Sequence, residues 1–145
     1  MKSIKKLLVP TDFSDCSREA MKYAEMMARL FEAKIILVHV VDVSYSITDT
    51  VQVVDHTETL KSIAKPLLEN EEQRIQSEGI PVEKELLLGV PYRQIIDKAN
   101  RSHADMIVMG TRGRTGVEHL LLGSVAEKVV RLAHCPVLTV HTGGK

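Results

Sequence analysis

The sequence predicts an α/β protein built on one parallel sheet between two helical layers. Three observations predict it. Short apolar runs alternate with longer amphipathic segments in the order β-α-β-α-β-α-β-α-β, the pattern of strands joined by crossover helices. The runs Leu7-Leu8-Val9, Ile35-Ile36-Leu37-Val38 and Met106-Ile107-Val108-Met109 are apolar at every position, as strands covered on both faces are. No repeat, linker or low-complexity stretch divides the 145 residues, a length that suits a single domain over positions 1–145 with a sizeable core.

Each element follows from local chemistry. Ile4 to Val9 reads as the first strand and Pro10-Thr11-Asp12-Phe13-Ser14 as the loop after it, with Ser14 placed to cap a helix. In that helix Ala20, Tyr23, Ala24, Met27, Leu30 and Phe31 fall at helical spacing and predict the core face. Lys34 to Val41 is the second strand. Asp42 to Val54 shows no clean period and is rich in Ser, Thr and Asp, so it reads as a loop. His56 to Glu78 reads as a helix with Leu60, Ile63, Ala64, Leu67, Leu68 and Ile75 on one face. Pro66 should kink or split it, and Gly79 should end it. Val82 to Leu88 is the third strand, Gly89-Val90-Pro91 a turn, and Ile95, Ile96 and Ala99 carry the next helix. Met106 to Met109 and Pro136 to Val140 are the fourth and fifth strands, the last starting on a proline as a strand start or edge allows.

Bulk properties exclude several classes of function. With 19 basic and 19 acidic residues the net charge is zero, so neither a nucleic acid nor an anionic membrane is an expected partner. Cys16 and Cys135 form no C-x-x-C and no disulfide framework, and read as reduced thiols suited to the cytoplasm. The basic start, Met1 to Lys6, is followed by an apolar run that stops at Pro10, too short for a signal peptide. The six histidines show neither H-E-x-x-H nor zinc-like spacing. There is no G-x-S-x-G elbow and no dedicated general base, so at most slow hydrolysis of a bound ligand is expected.

The segment Met106 to Val140 reads as strand, glycine loop, helix, strand. Gly110-Thr111-Arg112-Gly113-Arg114-Thr115-Gly116 follows the strand, and Gly123-Ser124 opens the helix. Glycines let backbone N–H groups approach a ligand, and a helix start favours phosphate. A structural alternative stands beside this. Ser124-Val125-Ala126-Glu127 fits a capping box, in which Ser124 only caps the helix and the glycines only turn the chain.

Gly110, Gly113, nine further residues and then Gly123-Ser124 match the G-2x-G-9x-G-[ST] signature of the universal stress protein family, in its ATP-binding branch. Val9 to Ser14 and Cys135 to Leu138 are also similar to that family, so the resemblance spans essentially the whole chain. It implies a doubly wound five-stranded parallel sheet of order 3-2-1-4-5, with helices on both faces. The order then reverses between the first and fourth strands, where open sheets of this kind bind ligands.

The resemblance also implies ligand-contacting residues. Gly110, Gly113, Gly123 and Ser124 would hold the ribose and phosphates of ATP, with the Val125 N–H adding a donor. Pro10, Thr11 and Met109 would line the wall, and the main chain of Val40 would read the adenine. Asp12 would meet ribose, adenine or a phosphate-bound Mg²⁺ or Mn²⁺; alternatively it bonds its own turn. Arg112 and Arg114 have the geometry to pair with phosphates, or are simply solvated. Asp42 sits where a Rossmann fold keeps its ribose acid, but without the matching G-x-G-x-x-G. His39 reads as core or edge structure.

The expected protein is therefore a cytoplasmic, ATP-binding stress-response module. It would act as a nucleotide-dependent switch and pair as a homodimer through its fifth strand. ADP, AMP and a cyclic nucleotide stay open as ligands. A slow ATPase or other nucleotide-using enzyme on the same fold, and an interaction protein that binds no nucleotide, are the alternatives.

Overall fold

The computed structural model describes residues 3–44, 50–112 and 122–142, with backbone alone for 50–55. Its elements are β1 (Lys6–Pro10), α1 (Asp15–Phe31), β2 (Lys34–Asp42), α2 (Thr50–Ser77), β3 (Val82–Gly89), α3 (Pro91–Ser102), β4 (Met106–Gly110), α4 (Ser124–Leu132) and β5 (Val137–Val140). The five strands form one sheet of order β3-β2-β1-β4-β5, and every pair is parallel. Observed strand ends differ from the expected ones by one or two residues: β1 starts two residues late and ends one late, β2, β3 and β4 each gain one, and β5 begins after Pro136.

The continuous apolar runs serve two cores at once, because successive side chains leave a strand on opposite faces. Leu7, Val9, Ile35, Leu37 and Val108 join Ala20, Ala24 and Ala28 of α1 and Leu68 and Ile75 of α2. Leu8, Ile36, Val38, Ile107 and Met109 join Ile95 and Ala99 of α3 and Ala126 and Val129 of α4. α1 and α2 therefore cover one face and α3 and α4 the other.

Four sequence expectations need correction. The buried face of α1 is Cys16, Ser17, Ala20, Met21, Ala24, Glu25 and Ala28. Leu30 is 72% and Tyr23 47% exposed. The alanines at four-residue spacing let the helix lie close to the sheet, which moves the larger residues beside them to its margin. Ile63 and Leu67 of α2 are likewise exposed, while Ala64, Leu68 and Ile75 are buried.

α2 also starts six residues earlier than expected, at Thr50, and continues through Pro66 without a break. The added turn, Thr50-Val51-Gln52-Val53-Val54, is rich in β-branched residues of low helix propensity, so its helical state is a matter of context. Pro66 lies on the exposed side, where the carbonyl that loses its donor is open to water. Of the expected loop, Val43 and Ser44 follow β2, and residues 45–49 lie outside the described ones. Gly79 ends α2 at φ +81°, as expected.

Candidate functional site

The strand order reverses between β1 and β4, and the crevice opens beyond their carboxyl ends. A cavity of about 390 Å³ lies there. Pro10, Thr11 and Asp12 enter it from the β1–α1 loop, Val40 from β2, Met109, Gly110 and Arg112 from β4 and its loop, and Gly123, Ser124 and Val125 from the start of α4. Every residue the sequence proposed for the ligand lines this cavity except Gly113 and Arg114. Both lie outside the described residues, as do Thr115 and Gly116.

Main-chain direction explains what Val40 and Gly110 offer. The Thr11 N–H donates to the Val38 carbonyl at 2.8 Å, so Val38 turns its main chain toward β1. Val40, two residues on, turns the same way, past the point where β1 has ended. In β4 the N–H groups of Ile107 and Thr111 donate toward β5, to Pro136 O and Val140 O. Gly110, in the opposite phase to both, turns its own groups back toward the crevice. Strands on both sides of the short β1 thus present main-chain donors and acceptors to one space.

The start of α4 corrects the capping-box alternative. The N-cap is Gly123, in extended conformation (φ −66°, ψ 164°) with no side chain to cap anything, and Ser124 is already the first helical residue. The Gly123 N–H donates to the Thr111 carbonyl at 2.5 Å, while the residue itself lines the cavity. Three N–H groups of the first turn, on Ser124, Val125 and Ala126, have no partner among the described residues. All three residues line the cavity. Orphan N–H groups and the positive end of the helix dipole make that position suited to an anion.

Gly110 has a second reason to be glycine. A Cβ there would stand 2.8 Å from Cys16 Sγ and 2.9 Å from the Cys16 carbonyl carbon. The first turn of α1 therefore packs directly on the β4 backbone, which holds the β1–α1 loop against the glycine segment. The Cys16 thiol reaches Val140 O at 3.4 Å and Thr111 Oγ1 at 3.8 Å. Burial pushes that thiol's pKa up. Backbone N–H groups of Arg112, Thr142 and Thr111, with the Thr111 hydroxyl, outweigh it and hold the pKa below its usual value.

The β1–α1 loop is tied down by bonds from the N–H groups of Thr11, Phe13 and Ser14. Asp12 Oδ1 accepts from the Ser14 N–H at 3.0 Å, the turn role the sequence allowed for it, while the residue also lines the cavity. Ser14 caps α1, accepting from Ser17 N at 3.2 Å. Arg112 donates to Thr142 Oγ1 at 3.0 Å and borders a second hollow of about 380 Å³ at the start of α1. Asp42 lines the main cavity, and its Oδ1 accepts from the Ser44 N–H and hydroxyl at 2.9 and 2.5 Å.

The sequence reading missed Ser17, His39, Pro91, Ile95, Thr111 and Ala126 as wall residues. Pro91 and Ile95 come from α3, which carries no ligand motif; only its docking brings them there. His39 is separated from the expected Val40 by one position, and packing alone shows that its ring reaches the loop. Among the described residues there is no cluster of three or more His, Cys, Asp or Glu that could hold a metal, and no helix long and apolar enough to cross a membrane.

Comparison with known proteins agrees with this geometry. The model of the universal stress protein family matches residues 3–141. Universal stress protein MJ0531 of Methanocaldococcus jannaschii is 41% identical over 140 residues, covering 94% of this chain and 81% of that one. The structure of MJ0577 from the same organism superposes with a TM-score of 0.82 at 31% identity, over 99% of this chain and 100% of the other. Among more distant structures at 25% identity, one is a universal stress protein in complex with cAMP (TM-score 0.74, 98% and 100% covered). Another is the Archaeoglobus fulgidus universal stress protein in complex with dAMP (TM-score 0.66, 97% and 99% covered). By family model, sequence identity and fold together, the chain belongs to the universal stress protein family.

Proposed function

We propose that this chain is a cytoplasmic ATP-binding stress-response protein that works as a nucleotide-dependent switch. One observation carries the reading. The first turn of α4 has a glycine N-cap and three N–H groups without a described partner, in a cavity whose other walls present the main chains of Val40 and Gly110. That arrangement suits a ligand with phosphate at one end and a base edge at the other. Solved relatives in complex with cAMP and dAMP support a nucleotide.

On this reading Ser124, Val125 and Ala126 hold phosphate, and Val40 meets adenine. Pro10, Thr11, Met109 and Gly110 form the wall, and Asp12 and Arg112 stand near ribose and phosphates, with Gly113 completing the glycine segment. A Mg²⁺ or Mn²⁺ would arrive on the phosphates. The switch needs ATP to favour one of two states of the glycine segment. The chain pairs with a second copy along β5, an edge strand of the sheet, and the switch alters those contacts or a partner's.

Ser124→Pro tests the phosphate site. Gly123 is extended, as a residue before proline must be, and proline is welcome at the first helical position. The substitution therefore deletes one N–H and one hydroxyl without breaking α4. ATP affinity measured by calorimetry should fall at least ~1.4 kcal/mol, tenfold, with the melting temperature held. Unchanged affinity in the folded variant removes α4 from the site. Mass spectrometry of nucleotide released from protein purified without additions identifies the ligand, and sedimentation equilibrium reads the dimer.

A further inference from the structure

His39 stands on β2 next to the proposed adenine contact, and the reading above gives its side chain no task. The ring touches both neighbours of Asp12. Its Nδ1 lies 2.7 Å from the Thr11 carbonyl oxygen. A carbonyl only accepts, so Nδ1 carries a proton and donates it, which sets the tautomer of the neutral ring. On the other side of Asp12, the His39 and Phe13 ring centroids are 4.7 Å apart with planes tilted by 34°.

Phe13 has φ +65°. A bulky residue persists in the left-handed region only where its surroundings impose it. Two local bonds accompany that turn: the Phe13 N–H to Thr11 Oγ1 and the Ser14 N–H to Asp12 Oδ1, each 3.0 Å. They fold the loop on itself but do not locate it against β2. The Thr11 N–H to Val38 O bond locates its start, and His39 reaches the two residues on either side of Asp12.

We propose that His39 is a positioning residue that sets Asp12 in the cavity by gripping Thr11 through a hydrogen bond and Phe13 through its ring. The effect on ligand affinity rests on the nucleotide reading; the grip itself does not. Without the N–H the Thr11 carbonyl loses a hydrogen-bond donor at 2.7 Å, and without the ring Phe13 loses a surface that holds it at positive φ. Asp12, which lies between them, is then displaced with them, and affinity falls although His39 need not touch the ligand.

Three variants separate the two contacts. His39→Phe keeps a ring and removes the N–H, His39→Asn keeps an N–H near the Nδ1 position and removes the ring, and His39→Leu removes both. ATP affinity is read by calorimetry, and amide hydrogen exchange is read residue by residue in nucleotide-free protein. In His39→Leu, ATP binding should weaken by about tenfold, the scale of one lost hydrogen bond with its acceptor stranded. Exchange at Phe13 and Ser14 should accelerate by at least as much while core strands keep their protection. His39→Phe and His39→Asn should each recover part of both.

The proposal is overturned if His39→Leu leaves Phe13 and Ser14 exchanging at the wild-type rate. It is also overturned if exchange rises equally across the whole sheet, which is general destabilisation, or if the two partial variants are no better than leucine. If wild-type protein ignores ATP, the nucleotide reading fails, and the exchange rates still decide whether His39 holds the loop.

Discussion

Replacing Gly110 by alanine adds one carbon where the first turn of α1 already lies. The new Cβ would be 2.8 Å from Cys16 Sγ, 2.9 Å from the Cys16 carbonyl carbon and 3.0 Å from its oxygen. A side chain can swing away; the backbone of a helix packed on the sheet cannot. α1 must therefore retreat by roughly half an ångström or β4 must bend, and overpacking of this kind costs about 1–3 kcal/mol. With an unfolding entropy of about 0.3 kcal/mol/K for 145 residues, the melting temperature should drop by about 3–10 °C. Differential scanning calorimetry measures it. Cys16→Ala introduced together with Gly110→Ala relieves only the sulfur contact, so most of the loss should remain relative to Cys16→Ala alone. A melting temperature within about 1 °C of wild type, against the several degrees expected, refutes the packing argument. Full recovery in the double variant would mean that the side chain, not the backbone, was the obstacle. Because the same turn carries the β1–α1 loop, ATP affinity should fall with stability.

The remaining predictions concern charge. The folded pKa of the Cys16 thiol is depressed, so its ionisation contributes stability that is present above the unfolded thiol's pKa and lost as pH falls through the folded value. The stability gap between wild type and Cys16→Ala, measured by urea unfolding, should widen as pH is raised from neutral to above the ordinary thiol pKa of about 8.5; a constant gap rejects the assignment. On the other side of the same helix, Glu25 is 7% exposed and its Oε1 lies 2.8 Å from Arg74 Nη2, which is shared with Glu71 at 2.9 Å. Glu71 and then Glu25 raise the pKa of the Arg74 guanidinium. Arg74→Met strands a buried carboxylate and should cost about 1–3 kcal/mol, reduced from the fully buried case because Arg74 is half exposed. Adding Glu25→Leu should restore most of it in the same unfolding assay, and failure to do so would show that Arg74 acts through other contacts.

The parts of this fold that were legible in the sequence are those that depend on short-range chemistry. Continuous apolar runs marked β1, β2 and β4 because strands buried on both faces leave no position for a polar residue. Ser14 and Gly79 marked a helix start and a helix end because one offers a capping oxygen and the other tolerates φ +81°. The glycine spacing from Gly110 to Ser124 marked the family, since the match rests on local residues in order.

Long-range packing decided the rest. Which face of α1 is buried depends on how closely its alanines let it approach the sheet, so Tyr23 and Leu30 ended at the margin. The start of α2 lies in a β-branched run whose helical state no propensity announces. Ser124 looked like a cap, but Gly123 is the extended N-cap, held by its N–H to the Thr111 carbonyl, and Ser124 is already helical. Pro91, Ile95 and His39 carry no motif, and reach the cavity only through the docking of α3 and β2. By itself the sequence determined the strands, their alternation with helices and the residues of the glycine segment, because these follow from periodicity and backbone chemistry within a few residues. Only the tertiary structure decided which N–H groups remain available, which helix faces are buried and which side chains hold Asp12, because those depend on atoms brought together from distant parts of the chain.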